Sequence, residues 1–180
     1  MHHISIMKKI FIFLSLIVAM GCTQAQTPAQ APVAAVPNIE NIPTFRILNQ
    51  DSVYITNANL KKDKAVVIIY FSPDCSHCQR MMYELKPDMK KFANVQVVMV
   101  TFTQTTSPYM KLLREFRRDF SLGAYPNFIT GTEYPDYKIQ RYYQVATTPY
   151  IAIYNRKGKL VKAFSKAPKT EEFTDAVKGL

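Results

Sequence analysis

The chain has 180 residues, with 23 Lys and Arg against 13 Asp and Glu and a formal net charge of +10. That length can bury one real core, so no disulfide is needed as a staple. Three cysteines and three histidines are too few for a four-ligand zinc site or a Ser-His-Asp hydrolase once a leader is removed.

Met7-Lys8-Lys9 is a basic start, residues 10–20 are a short apolar core, and Gly21-Cys22 follows. This is the layout of an export signal, and the apolar run is too short to span a bilayer comfortably. Residues 1–21 are expected to be a cleaved signal peptide and Cys22 a lipidated cysteine. Ala19 and Met20 depart from the usual lipoprotein pattern, and Ala29-Gln30-Ala31 is the cut site of the alternative, an ordinary secretory signal. Acyl chains on Cys22 would anchor the protein to a membrane of the cell envelope without a spanning segment. Loss of Lys8 and Lys9 would lower the charge from +10 to +8. His2 and His3 leave with the leader, and lipid on Cys22 would leave Cys75 and Cys78 as a pair.

Residues 22–41 are rich in Ala, Gln, Pro and Thr, carry only Glu40 as a charge, and read as a flexible tether. Residues 42–180 form the domain. Residues 44–48 and 52–56 are β-like runs around Asn49-Gln50-Asp51, a hairpin. Residues 66–71 are a continuous apolar run, as in a buried central strand. Cys75-Ser76-His77-Cys78 follows and opens a helix-patterned stretch over 79–92, which Pro87 should kink or split near Lys86. Residues 95–102 are a second buried strand. Ser107 caps the next helix, with Pro108 at its first position and Leu112, Leu113, Phe116 and Phe120 along one side. A short strand over 127–130 and a helical turn over 137–143 come next. Residues 150–154 and 160–164 are strands joined by Asn155-Arg156-Lys157-Gly158, and a helix runs from Thr170 to near Gly179. Strands alternating with helices, then a hairpin and a helix, indicate a layered α/β domain. No repeat of 20–50 residues is present.

Two thiols three residues apart at a helix mouth suit dithiol–disulfide exchange. Cys75 should face the unpaired N–H groups and the positive end of the helix dipole, both of which favour thiolate. Cys78 lies one turn on and can attack a mixed disulfide on Cys75. Cys75 is thus the attacking thiol and Cys78 the resolving one. As imidazolium, His77 would lower the Cys75 pKa further; as a solvent-facing spacer it would do little. Asp74 beside Cys75 would act in the opposite sense. Basic residues such as Lys61-Lys62, Arg117-Arg118 and Lys157 with Lys159 are spread along the chain. They read as a solvated surface suited to anionic headgroups or acidic partners, and an exported chain is not expected to bind nucleic acid.

The strand, the Cys-x-x-Cys turn and the helix, followed by Thr147-Thr148-Pro149 before an apolar strand, resemble the thioredoxin superfamily. The resemblance covers about residues 44–180. It implies a three-layer α/β fold with a central mixed sheet. It also implies that Pro149 is cis against Cys75 and that the Thr148 backbone pairs with a substrate peptide as an added strand. The N-terminal hairpin and an insertion before the cis-Pro are similar to the TlpA-like branch of membrane-tethered thiol–disulfide oxidoreductases. Two departures stand out: Ile69 replaces the acid of thioredoxin's central strand, so that the usual proton acceptor for the resolving thiol is absent, and Asp74 replaces its tryptophan.

The expected function is reduction of protein disulfides in the envelope. The redox-active pair Cys75–Cys78 would serve without metal or organic cofactor, as a monomer, recharged by an upstream membrane electron donor. One alternative is a peroxiredoxin-like peroxidase: Ser72-Pro73-Asp74-Cys75 fits its Ser/Thr-x-x-Cys fragment, with Arg141 as the downstream arginine, but Ile68 stands where that family has proline. The other is a non-enzymatic thiol module that holds a client protein, or copper with help from Met81 and Met82.

Overall fold

The computed structural model describes residues 38–106 and 108–180. The expected leader, Cys22, most of the tether and the expected cap Ser107 lie outside the described residues. Among the described residues, seven strands, numbered in chain order, form one mixed sheet in the order β2-β1-β5-β4-β3-β6-β7.

Strands β1 (Arg46–Asn49) and β2 (Tyr54–Thr56) form the expected antiparallel hairpin, with Leu48 opposite Tyr54. The Asn49 side chain closes its turn by accepting from the N–H groups of Asp51 and Val53 at 3.0 and 2.8 Å. Strands β3 (Val66–Tyr70), β4 (Gln96–Thr101) and β5 (Phe128–Thr132) run parallel. Parallel neighbours need a crossover. Helix α1 (Ser76–Leu85) supplies it from β3 to β4, and α2 (Tyr109–Asp119) from β4 to β5. Helix α3 (Lys138–Tyr143) follows β5. Strand β6 (Tyr150–Tyr154) lies antiparallel to β3, β7 (Leu160–Phe164) closes that edge, and α4 (Thr170–Lys178) ends the chain.

The two-residue period of a strand divides the apolar runs between two cores. Val67, Ile69 and Phe71 pack with Met82 of α1, Phe116 of α2 and Phe173 of α4. Val66, Ile68 and Tyr70 pack with Ile139 and Tyr143 of α3. Both faces of β3 are therefore covered, and none of its five residues is more than 2% exposed. Such burial stabilises by about 1.5–3 kcal/mol per large apolar side chain. This is the expected three-layer α/β fold with a central mixed sheet, an N-terminal hairpin and an insertion of α2, β5 and α3 before the cis-Pro.

Pro87 does split the stretch after the cysteines. Helix α1 stops at Leu85, and residues Lys86–Phe92 tighten into a 3-10 segment. Helix α2 begins one residue after Pro108 rather than at it. Its buried side is Met110, Leu113 and Phe116, while Leu112 is 37% exposed. Leu112 lies about 160° around the helix from Met110 and about 100° from Leu113, which puts it at the edge of the buried side. The strand expected over 127–130 starts at Phe128 instead. Asn127 donates its side-chain amide to the carbonyls of Phe92 and Val95 at 2.9 and 3.1 Å, pinning the loop before β4. Gly158 has φ +72°, the left-handed conformation that the β6–β7 turn requires and that a side chain would strain.

Candidate active site

Cys75 is the N-cap of α1, just past the C-terminal end of β3. A short turn delivers it there. The Cys75 N–H donates to the Ser72 carbonyl at 3.2 Å, Gln79 Nε2 donates to the Pro73 carbonyl at 2.7 Å, and the Ser72 hydroxyl donates to the Asp74 carboxylate. The sulfur therefore meets the unpaired N–H groups of the first helical turn. Cys78 is fully buried one turn on, while Cys75 is partly exposed. Both are free thiols within hydrogen-bonding reach of each other.

The Thr148–Pro149 peptide is cis. Cys75 Sγ donates to the Thr148 carbonyl oxygen at 3.5 Å. The register explains the meeting: Tyr70 ends β3 opposite Tyr150, which begins β6, so the chain after one and before the other share a pole. The cysteine turn and the proline loop, the two elements that the resemblance placed together, are in contact.

The two thiols are electrostatically unequal. Burial works to raise the Cys75 pKa, but hydrogen bonds from the Thr148 side chain, the Cys78 backbone and thiol, and the His77 backbone outweigh it, and the pKa falls below its ordinary value. Burial dominates at Cys78 and, with the Cys75 thiol and charge added, pushes it up to about 12 despite the Ser72 backbone and Thr148. A sulfur that ionises readily thus faces outward, and one that holds its proton lies behind it. Asp74 and His77 are both exposed on the turn. Asp74 is engaged by Ser72, and it is the His77 backbone rather than its imidazole that reaches Cys75.

Arg141 is exposed on α3 and donates to the Asp136 carbonyl. Met81 and Met82 are 4% and 1% exposed and fill the core under α1. Among the described residues, no group of three or more His, Cys, Asp or Glu is placed to hold a metal ion.

Two buried polar groups escaped the sequence reading. Glu133, 3% exposed, accepts from the N–H groups of Ile139 and Gln140 at 2.6 and 3.0 Å and so caps α3. Tyr70 is fully buried, and its hydroxyl faces the Glu133 carboxylate without a partner in hydrogen-bond geometry among the described residues. Burial first, and then the neighbouring Glu133 carboxylate, raise its pKa. Tyr70, with Glu133 beside it, belongs to the sheet face opposite Cys78. Nothing in Thr-Glu-Tyr-Pro-Asp marks Glu133 as a buried cap, because its acceptor role depends on where α3 returns.

Residues 53–179 match the family described as a thioredoxin-like domain. No curated protein matches the sequence. Solved structures share the fold at low identity. A secreted Mycobacterium tuberculosis disulfide oxidoreductase homologous to E. coli DsbE is 19% identical, with TM-score 0.61 over 76% of this chain and 96% of that one. A thiol-disulfide oxidoreductase from Bacteroides fragilis is 13% identical, with TM-score 0.63 over 78% and 98%. An exposed lipoprotein thioredoxin from Streptococcus pneumoniae is 19% identical, with TM-score 0.57 over 77% and 100%.

Proposed function

Because this chain belongs to the thioredoxin-like domain family, we propose that it is a thiol–disulfide oxidoreductase of the bacterial cell envelope that reduces protein disulfides. The observation that carries this is the unequal pair at the mouth of α1, with the easily ionised Cys75 held against Thr148 beside a cis proline.

The Cys75 thiolate attacks one sulfur of a client disulfide. A Cys75–client bond forms, and the client's other sulfur leaves as thiolate and takes a proton from water. The client strand lies along Thr148, whose backbone supplies the pairing edge. Cys78 then gives its proton to water and attacks the Cys75 sulfur. The Cys75–Cys78 bond forms, and the client's second sulfur leaves and is protonated. Two electrons and two protons have passed to the client. The chemistry requires no metal or organic cofactor, because the electrons travel in sulfur bonds. A dithiol donor at the membrane must then reduce the Cys75–Cys78 bond.

Envelope placement rests on the export signal read in residues 1–21 and on Cys22 as the lipid anchor. A secreted protein and an exposed lipoprotein among the similar structures support it. The TlpA-like branch favours reduction as the direction.

Replacing Cys78 with Ser should trap clients on Cys75 as mixed disulfides, visible by mass spectrometry and absent in Cys75→Ser. No Cys75-dependent adducts in cells would remove protein clients from the reading. The potential of the couple against glutathione decides direction: near about −270 mV it reduces, and near about −120 mV it oxidises. Fast, saturable peroxide consumption would instead assign a peroxidase.

A further inference from the structure

Several basic residues that look scattered in sequence converge in space at the pole opposite the cysteines. Strands β3 and β4 begin there, while Cys75 follows the far end of β3. Lys61 is clasped to the start of β4, since Gln96 donates to its carbonyl at 3.0 Å and accepts from its N–H. Lys61, Lys64 and Lys90 line a cleft of about 580 Å³. Lys90 also borders, with Lys91 and Lys178, a second cleft at the end of α4. The β6–β7 turn joins the same pole: Arg156 donates to the Leu180 carbonyl at 3.1 Å, and Lys157 and Lys159 are exposed on that turn. The acids here are Glu40, Asp63, Asp175 and Asp88, the last paired with Lys91 at 3.1 Å. The ammonium groups of Lys61, Lys64 and Lys90 have no ion-pair partner among the described residues.

Two further observations select the occupant. The floor of the larger cleft is apolar, formed by Met89 and Val95 with half-buried Tyr125 and Ile129. A cationic rim over an apolar floor matches an anionic amphiphile better than a purely polar polyanion. The described chain also enters the domain at this pole. Asn41 bridges Lys159, and the Glu40 carbonyl accepts from the Leu160 N–H at 2.8 Å. Cys22 and Asn38 are 16 positions apart, and no chain of that length can reach further than about 55 Å.

We propose that this pole is a docking face for anionic phospholipid, headgroup phosphates meeting Lys61, Lys64 and Lys90, so that Cys75 points away from the bilayer. The face does not depend on the redox reading, and its failure would leave that reading standing.

The test uses the full chain with Cys22→Ser in every sample and measures cosedimentation with vesicles. Vesicles of equal phosphatidylglycerol and phosphatidylcholine are compared with pure phosphatidylcholine, which reports partitioning by the apolar leader alone. The parent should prefer the anionic vesicles. Lys61→Glu/Lys64→Glu/Lys90→Glu should lose at least roughly a hundredfold of that partitioning, since each lysine near a charged surface contributes roughly fivefold and each glutamate adds repulsion. Arg80→Glu/Arg114→Glu/Lys166→Glu, with the same charge change elsewhere on the domain, should lose less than a tenth as much. Equal losses in the two variants, or no preference for phosphatidylglycerol, would overturn the proposal. Heparin binding tighter than vesicle binding would also overturn it and assign an acidic polymer. If the triple variant does not fold, Lys90→Gln carries the test, with a roughly fivefold loss expected and an unchanged affinity against it.

Discussion

The Cys75 sulfur and the Thr148 carbonyl oxygen are 3.5 Å apart across 73 positions of sequence. The contact joins the N-cap of α1 to the entry of β6. It places the more reactive sulfur beside backbone that can accept an extended peptide. It also brings the Thr148 side chain near enough to favour the thiolate.

Thiol reactivity should divide by residue. In the reduced protein, iodoacetamide should modify Cys75 at a pH below the ordinary thiol range, because its pKa is lowered, while Cys78, pushed up to about 12, stays protected. Peptide mapping across a pH series checks this. Simultaneous modification of both sulfurs in the folded protein would sink it.

Reduced and oxidised forms should differ in alkaline stability. The Cys78 pKa is raised to about 12 on folding, so its contribution is full below the unfolded thiol pKa and is lost as pH climbs towards 12. Cys75 acts in the opposite sense, its pKa being lowered, but is only partly buried. The buried tyrosines, raised in both forms, cancel from the comparison. Urea midpoints of the reduced protein should therefore fall faster above about pH 9 than those of the disulfide form. Parallel curves would show that Cys78 ionises freely.

Tyr70→Phe should stabilise the fold by up to about 1 kcal/mol, since it removes a buried hydroxyl that has no partner in hydrogen-bond geometry among the described residues and leaves the ring in place. A higher denaturant midpoint with unchanged slope is the expected readout. A loss above about 1 kcal/mol would mean that the hydroxyl is bonded in solution.

Glu133→Ala should cost about 1–3 kcal/mol, because the N–H groups of Ile139 and Gln140 lose their acceptor. Hydrogen exchange should speed up at those two amides first. Unchanged protection there would refute the capping role.

Gly131→Ala should cost about 1–3 kcal/mol through overpacking. An added Cβ would lie 2.9 Å from both Ile47 Cγ1 and the Leu48 carbonyl oxygen, and the latter is backbone that cannot swing aside. A thermal melt unchanged from the parent would show that β1 yields.

Most elements could be read from the chain because their signals are local. The unbroken apolar run of β3, Pro87 after α1, and the Asn155–Gly158 turn each act within a few residues. Leu112 ends at the edge of the buried side of α2, because the width of a buried stripe depends on what packs against it and not on the period alone. Glu133 and the Tyr70 hydroxyl were not legible at all, since which carboxylate meets which amide depends on the path of α3.

By itself the sequence determined the strand-turn-helix order, the pair Cys75 and Cys78, and the loop ending in Pro149, because spacing and backbone preference are properties of neighbouring residues. Only the tertiary structure decided that Cys75 touches Thr148, that Cys78 is sealed behind it, and that dispersed lysines gather at the far pole. Those follow from the pairing of β3 with β6 and β4, a long-range event that sets burial, and burial in turn sets which sulfur ionises.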